Sequence, residues 1–144
     1  MQYVATVTQE GKQWLAEFPD APGCQTFASN RRALAKAAQE ALIGWLEAHL
    51  LSGQVPPRPG FADTTSSGLR VDVPARLAVA LRLRWARTEA KLTQAELAKR
   101  SGLAQQMIAR LERPTSNPTV ETLAKVAAAL GTTLELEMRP VAEA

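Results

Sequence analysis

The sequence predicts an α+β protein in two parts: a β-β-β-α-β unit over residues 1–73 and an all-α unit with a short terminal strand over residues 74–144. Two periodicities predict it. Up to residue 28 apolar side chains recur at every second position, and beyond residue 75 at every third or fourth. Between them, Ser52 to Gly68 contains Pro56, Pro57, Pro59, Gly60, Thr64, Thr65, Ser66 and Ser67, which makes a loop rather than core.

In the first part, Tyr3, Ala5 and Val7 alternate with Val4, Thr6 and Thr8 as a strand does. Gly11 and Lys12 supply a turn. Trp14, Ala16 and Phe18 then alternate with Leu15 and Glu17, giving a second strand antiparallel to the first. Two prolines and a glycine within Pro19–Gly23 cannot sustain a ladder, so a loop follows. Cys24 to Ala28 is the third expected strand. Ser29 is the expected cap of a helix running to about Leu51, with Leu34, Ala38, Leu42, Trp45, Leu46 and Leu50 on its buried side. Gly44 lies inside that helix at a cost of ~1 kcal/mol against alanine, and close packing on the sheet is the expected reason. Leu69, Val71 and Val73 alternate with Arg70 and Asp72 as a fourth strand, ended by Pro74.

The second part opens with a helix from about Ala75 to Ala90, with Leu77, Leu81 and Trp85 inward. Thr93 and Glu96 have the spacing of a capping box, opening a helix from Gln94 to Arg100. Ser101-Gly102-Leu103 makes a tight turn, with glycine where φ must be positive. A helix over Gln105–Glu112 follows, then a loop over Arg113–Pro118. Thr119 caps a last helix, which Gly131 stops. Thr133 to Met138 alternates Leu134, Leu136 and Met138 with Glu135 and Glu137, the pattern of a strand with one apolar face.

Bulk properties exclude several classes. The composition, 46% hydrophobic and 22% charged over 144 residues, is that of a globular chain. No run approaches the ~20 apolar residues of a membrane span. The start, Met1-Gln2-Tyr3-Val4, is no signal peptide, so a cytoplasmic (bacterial) location is expected. The single Cys24 excludes internal disulfides and cysteine-built zinc clusters. The net charge of +3 is unevenly spread: residues 1–60 balance five basic against five acidic side chains, whereas Arg76–Arg113 sets nine basic ones against Glu89, Glu96 and Glu112. Such an excess suits a polyphosphate partner, and it equally suits a solvated helical face.

Two short helices around a glycine turn are the geometry that lays one helix across a DNA backbone and the next in the major groove. Leu92-Thr93-Gln94-Ala95-Glu96-Leu97-Ala98, Gly102-Leu103-Ala104-Gln105-Gln106-Met107-Ile108, Arg110-Leu111-Glu112 and Asn117-Pro118-Thr119-Val120-Glu121-Thr122-Leu123 resemble the Cro/CI-type (XRE) helix-turn-helix family without gaps, over about Leu81 to Leu134. The resemblance implies that Gln94 anchors on phosphate and that Gln105 and Gln106 read bases; a glutamine amide can bond adenine N6 and N7 together. Ala109 and Arg110 lie one turn on, and a guanidinium suits guanine best. Arg113 and Asn117 are expected on the backbone, with Lys99 and Arg100 as further phosphate contacts. Arg87 and Glu112 match a structural ion pair of some phage repressors. Two departures stand out: Ala104 replaces the usual serine or threonine cap, and Arg113-Pro114 replaces a glycine-containing turn. The family implies a homodimer or homotetramer on palindromic half-sites of double-stranded operator DNA. The strand over Thr133–Met138, with its open edge, is a candidate for pairing across such a dimer.

In the first part, Tyr3-Val4-Ala5, Trp14-Leu15-Ala16-Glu17-Phe18-Pro19-Asp20-Ala21-Pro22-Gly23-Cys24, Glu40-Ala41-Leu42, Trp45-Leu46 and Val55-Pro56-Pro57-Arg58-Pro59 resemble the HicB antitoxin family. That resemblance implies a degenerate, partial ribonuclease-H-like fold that binds and covers a HicA-like mRNA interferase, with Glu17, Asp20 and Pro22 as candidate toxin contacts. A working nuclease would need carboxylates converging on two metal ions about 4 Å apart. Glu10, Glu17, Asp20, Glu40 and Glu47 show no such arrangement, and His49 has no identifiable orienting partner. The expectation is therefore no catalytic residue, metal, cofactor or enzyme activity. Two readings compete with an antitoxin that represses its own operon: a stand-alone repressor with a ligand-sensing or dimerising first domain, and an RNA-processing enzyme fused to a DNA-binding module.

Overall fold

The computed structural model describes residues 1–62 and 67–141. Thr64, Thr65 and Ser66 of the expected loop lie outside them. Four strands, β1 (Gln2–Glu10), β2 (Gln13–Glu17), β3 (Gln25–Ala28) and β4 (Leu69–Asp72), form one sheet in the order β3-β2-β1-β4. All neighbours are antiparallel, with Leu15 opposite Phe27, Thr6 opposite Glu17 and Tyr3 opposite Val71. The period of two divides the side chains between faces. Tyr3, Ala5, Ala16 and Val71 are buried, whereas Glu17 and Phe27 on the opposite face are exposed.

Helix α1 (Arg31–Leu51) covers the inner face and buries Leu34, Ala38, Leu42, Leu46 and Leu50, while Trp45 is only half-buried. Its cap is Asn30 and not Ser29. Asn30 has the extended backbone of a cap, and its Oδ1 accepts the Ala33 N–H at 2.8 Å, a bond Ser29 is one residue too early to make. Gly44 corrects a second expectation, because it faces solvent and an added Cβ meets nothing within 4 Å. With no packing reason for glycine there, Gly44→Ala should stabilise the chain by about 1 kcal/mol, read as a raised denaturant midpoint at constant m.

Helix α2 (Ala75–Glu89) belongs to both cores. Leu77, Ala80, Leu81 and Trp85 pack into the cluster beneath the sheet, and Leu83 packs against a second cluster. That second core joins Leu92 to Leu97 and Ala98 of α3 (Gln94–Ser101), Ile108 and Leu111 of α4 (Gln105–Leu111), and Val126 of α5 (Val120–Ala129). The expected terminal strand does not form: residues 132–140 make no ladder within the chain. A strand needs a neighbour to take its N–H and C=O groups, and among the described residues no strand of the chain pairs with this segment. Among the described residues, no helix is long and apolar enough to cross a membrane.

Candidate nucleic-acid interface

The α3–turn–α4 unit is set by local chemistry. The Thr93 hydroxyl accepts the Glu96 N–H at 3.1 Å, and the Glu96 carboxylate accepts the Thr93 N–H at 3.2 Å, a complete capping box. These bonds to Thr93 hold the Glu96 carboxyl below its ordinary pKa. Gly102 closes α3 at φ 72°, with its N–H on the Ala98 carbonyl. A side chain disfavours that left-handed conformation, so glycine fixes the angle between the two helices. Ala104 starts α4 without a side-chain cap; its carbonyl takes the Met107 and Ile108 N–H groups.

Burial of Leu97, Ala98, Ile108 and Leu111 turns the other faces outward. Gln105, Gln106 and Arg110 are exposed on α4, with Ala109 half-buried among them. Gln94 is half-buried at the start of α3, whereas Lys99, Arg100, Arg113 and Asn117 are exposed. Gln105, Gln106 and Arg110 therefore extend from one short helix, with no hydrogen-bond partner for their side chains among the described residues.

Behind α4 lies a buried charge cluster. Arg87 donates to both oxygens of Glu112, Nε to Oε2 at 2.6 Å and Nη2 to Oε1 at 2.9 Å, and also to the Leu92 carbonyl at 2.8 Å. Arg84, which sequence reasoning missed, donates Nε to Glu112 Oε1 at 2.8 Å and Nη1 to the Leu50 and Gln54 carbonyls, each at 2.9 Å. Glu112 is 1% exposed and the Arg84 side chain 7%. Burial alone pushes the Glu112 carboxyl up, but the hydrogen bonds from Arg87 and Arg84, with their charges, outweigh it and leave its pKa lowered. The bond to Glu112 likewise raises Arg87. Glu112 at the end of α4 thus holds α4 to α2, and Arg84 holds α2 to the C-terminal end of α1. The available signal was spacing, since Arg84 sits on the same side of α2 as Leu77, Leu81 and Trp85.

The proline segment is tied down too. Trp85 Nε1 donates to the Pro56 carbonyl at 2.6 Å, the Tyr3 hydroxyl donates to Pro57 at 2.7 Å, and the Arg58 guanidinium stacks 4.9 Å from the Trp85 ring. Asp20 accepts the Gly60 and Phe61 N–H groups at 2.8 and 2.6 Å, so its carboxylate holds this segment. Burial and then the charge of Asp20 raise the Tyr3 pKa. Glu17 and Pro22 are exposed along an open recess of about 290 Å³ that also includes Thr6 and Cys24. Burial pushes the Cys24 thiol up to about 11, which keeps it protonated and unreactive near neutral pH.

A family model described as Helix-turn-helix matches residues 83–136. The chain is 31% identical over 140 residues to Antitoxin HicB 1 of Photorhabdus laumondii, covering 96% of this chain and 87% of that protein. It is 28% identical over 136 residues to Antitoxin HicB 2 of the same organism, covering 94% and 95%. An immunity repressor protein of Bacillus phage phi105 is 42% identical over 55 residues, 38% of each chain. These relatives are two antitoxins and a repressor. With an antiparallel sheet and helix ahead of an XRE-type helix-turn-helix, and with similarity along nearly its whole length, the chain belongs to the HicB antitoxin family.

Proposed function

We propose that this protein is the antitoxin of a type II toxin–antitoxin pair: residues 1–73 bind and silence a HicA-like ribonuclease toxin, and residues 74–144 repress the operon encoding both. The observation that carries the reading is similarity to HicB antitoxins along nearly the whole chain, joined to an exposed Gln105, Gln106 and Arg110 on the second helix of a helix-turn-helix. Gln105, Gln106 and Arg110 read base edges in this account. Gln94, Lys99, Arg100, Arg113 and Asn117 meet phosphates, and Ala109 admits close approach to the groove. Glu17 and Pro22 remain the proposed toxin contacts, and Asp20 shapes the loop that presents them. An RNA-cleaving toxin has to be basic to hold its substrate, and Glu17 offers it an exposed carboxylate.

The test is growth. A small basic reading frame beside this gene should arrest cells when expressed alone, and co-expression of this chain should restore growth. Absence of such a neighbour, or arrest that persists on co-expression, contradicts the reading.

A further inference from the structure

The sheet is packed on one side only. Beneath it, Tyr3, Ala5, Ala16 and Val71 join the core formed with α1 and α2. On the outer side two neighbouring cross-strand rows stay open to solvent: Thr8, Leu15 and Phe27 form one, and Thr6, Glu17 and Gln25 the other. Phe27 is 63% exposed at the edge of the first row, beside a half-buried Leu15. The second row also lines the open recess of about 290 Å³, together with Pro19 and Pro22 of the loop that follows β2. An aromatic anchor and a recess thus share one flat face.

Charge decides what covers it. Across both rows and the recess Glu17 is the single charged residue, and its carboxylate enters no ion pair among the described residues. Asp20, in the adjoining loop, is turned to the Gly60 and Phe61 N–H groups instead. An unpaired carboxylate repels phosphates, so the face is unsuited to nucleic acid. The first two turns of α1, on the other side of the sheet, present exposed Arg32 and Lys36 and would repel a basic protein. An exposed aromatic next to an uncompensated carboxylate fits a protein surface that offers an apolar side chain beside a lysine or arginine.

We propose that the outer face of the sheet is the surface that receives the basic ribonuclease toxin. A lysine or arginine side chain of the toxin enters the recess and pairs with Glu17. An apolar side chain packs on Phe27 and Leu15, and Pro22 borders the contact. Shielding from water strengthens that ion pair relative to one on an open surface. The inference rests on the antitoxin reading and names the surface which that reading requires.

The test is the dissociation constant between the full chain and the purified product of the small basic reading frame beside its gene, measured by titration calorimetry. Phe27→Ala and Glu17→Lys should each raise it about 30-fold or more, the loss typical of an interface anchor. Lys36→Ala should leave it unchanged. Replacing one lysine or arginine of the toxin with glutamate should restore binding to the Glu17→Lys chain. Phe27 and Glu17 are exposed in the free chain, so the denaturant midpoint should stay native in both variants, and so should affinity for the DNA upstream of the gene. Native toxin affinity in either variant, no restoring change in the toxin, or an equal loss from Lys36→Ala overturns this surface. The antitoxin reading stands in each of those cases, because the native chain still binds. A native chain that fails to bind the product overturns the antitoxin reading, and the surface with it.

Discussion

Replacing Glu112 with alanine should cost about 3–5 kcal/mol of folding stability, one of the two largest effects of any single change we predict here. The carboxylate is 1% exposed and takes bonds from both Arg84 and Arg87. Its removal strands two guanidinium groups in a setting where Arg84 is almost wholly buried. Breaking a buried pair from one side is costly because the remaining charge has lost both water and partner. Glu112→Gln keeps the shape and loses the charge, and should recover only part of the loss. Chemical denaturation of the full chain measures both. A loss under 1 kcal/mol for Glu112→Ala would show that the cluster contributes little. The same carboxylate gives a pH dependence with a definite sign. Its folded pKa lies below the ordinary value, so its contribution is complete above the ordinary carboxylate range and is lost as pH falls through the lowered folded value. Glu112→Gln should therefore flatten the acid limb of the stability curve.

The second large effect concerns recognition. Gln105→Ala and Gln106→Ala should each lose about 1–3 kcal/mol of discrimination between operator and unrelated DNA, roughly 5- to 150-fold, because the proposed bidentate amide–adenine pair would be lost while the proposed phosphate contacts remain. Gln94→Ala should weaken all sequences alike. Titrations at one fixed salt concentration separate the two outcomes, since phosphate contacts make every affinity salt-dependent. Uniform loss from all three variants would refute the base-reading assignment. The structural basis is the exposure of both glutamines on a helix whose opposite side, Ile108 and Leu111, is fixed in the core. Neither substitution removes a buried group, so folding should be unaffected.

The parts of the molecule legible in the sequence are those governed by neighbours along the chain. The hairpin of β1 and β2, the buried stripe of α1, the Thr93–Glu96 capping box and the left-handed Gly102 each depend on side chains a few positions apart. What escaped depends on distant groups. Arg84 read as one more cation of a basic stretch, yet its partners are Leu50, Gln54 and Glu112, and two of the nine basic residues that suggested DNA are turned inward by that cluster. The proline segment read as mere connection, but Trp85 of α2, Tyr3 of β1 and Asp20 of the loop after β2 bind it. Likewise α2, opening the second half in the sequence, gives Leu77, Ala80, Leu81 and Trp85 to the first core. The division at residue 73 is thus one of proposed role, with α2 packed into both cores. For Gly44 and the tail, sequence pattern alone could not say whether a surface had a neighbour.

The most direct test of the account is competition between the DNA immediately upstream of this protein's own gene and random DNA of equal length, at physiological salt. A sequence-specific repressor should prefer its own operator by about 10³-fold or more, and Gln105→Ala should shrink that preference. Equal affinity for both DNAs, or a preference untouched by changes at Gln105 and Gln106, would contradict it.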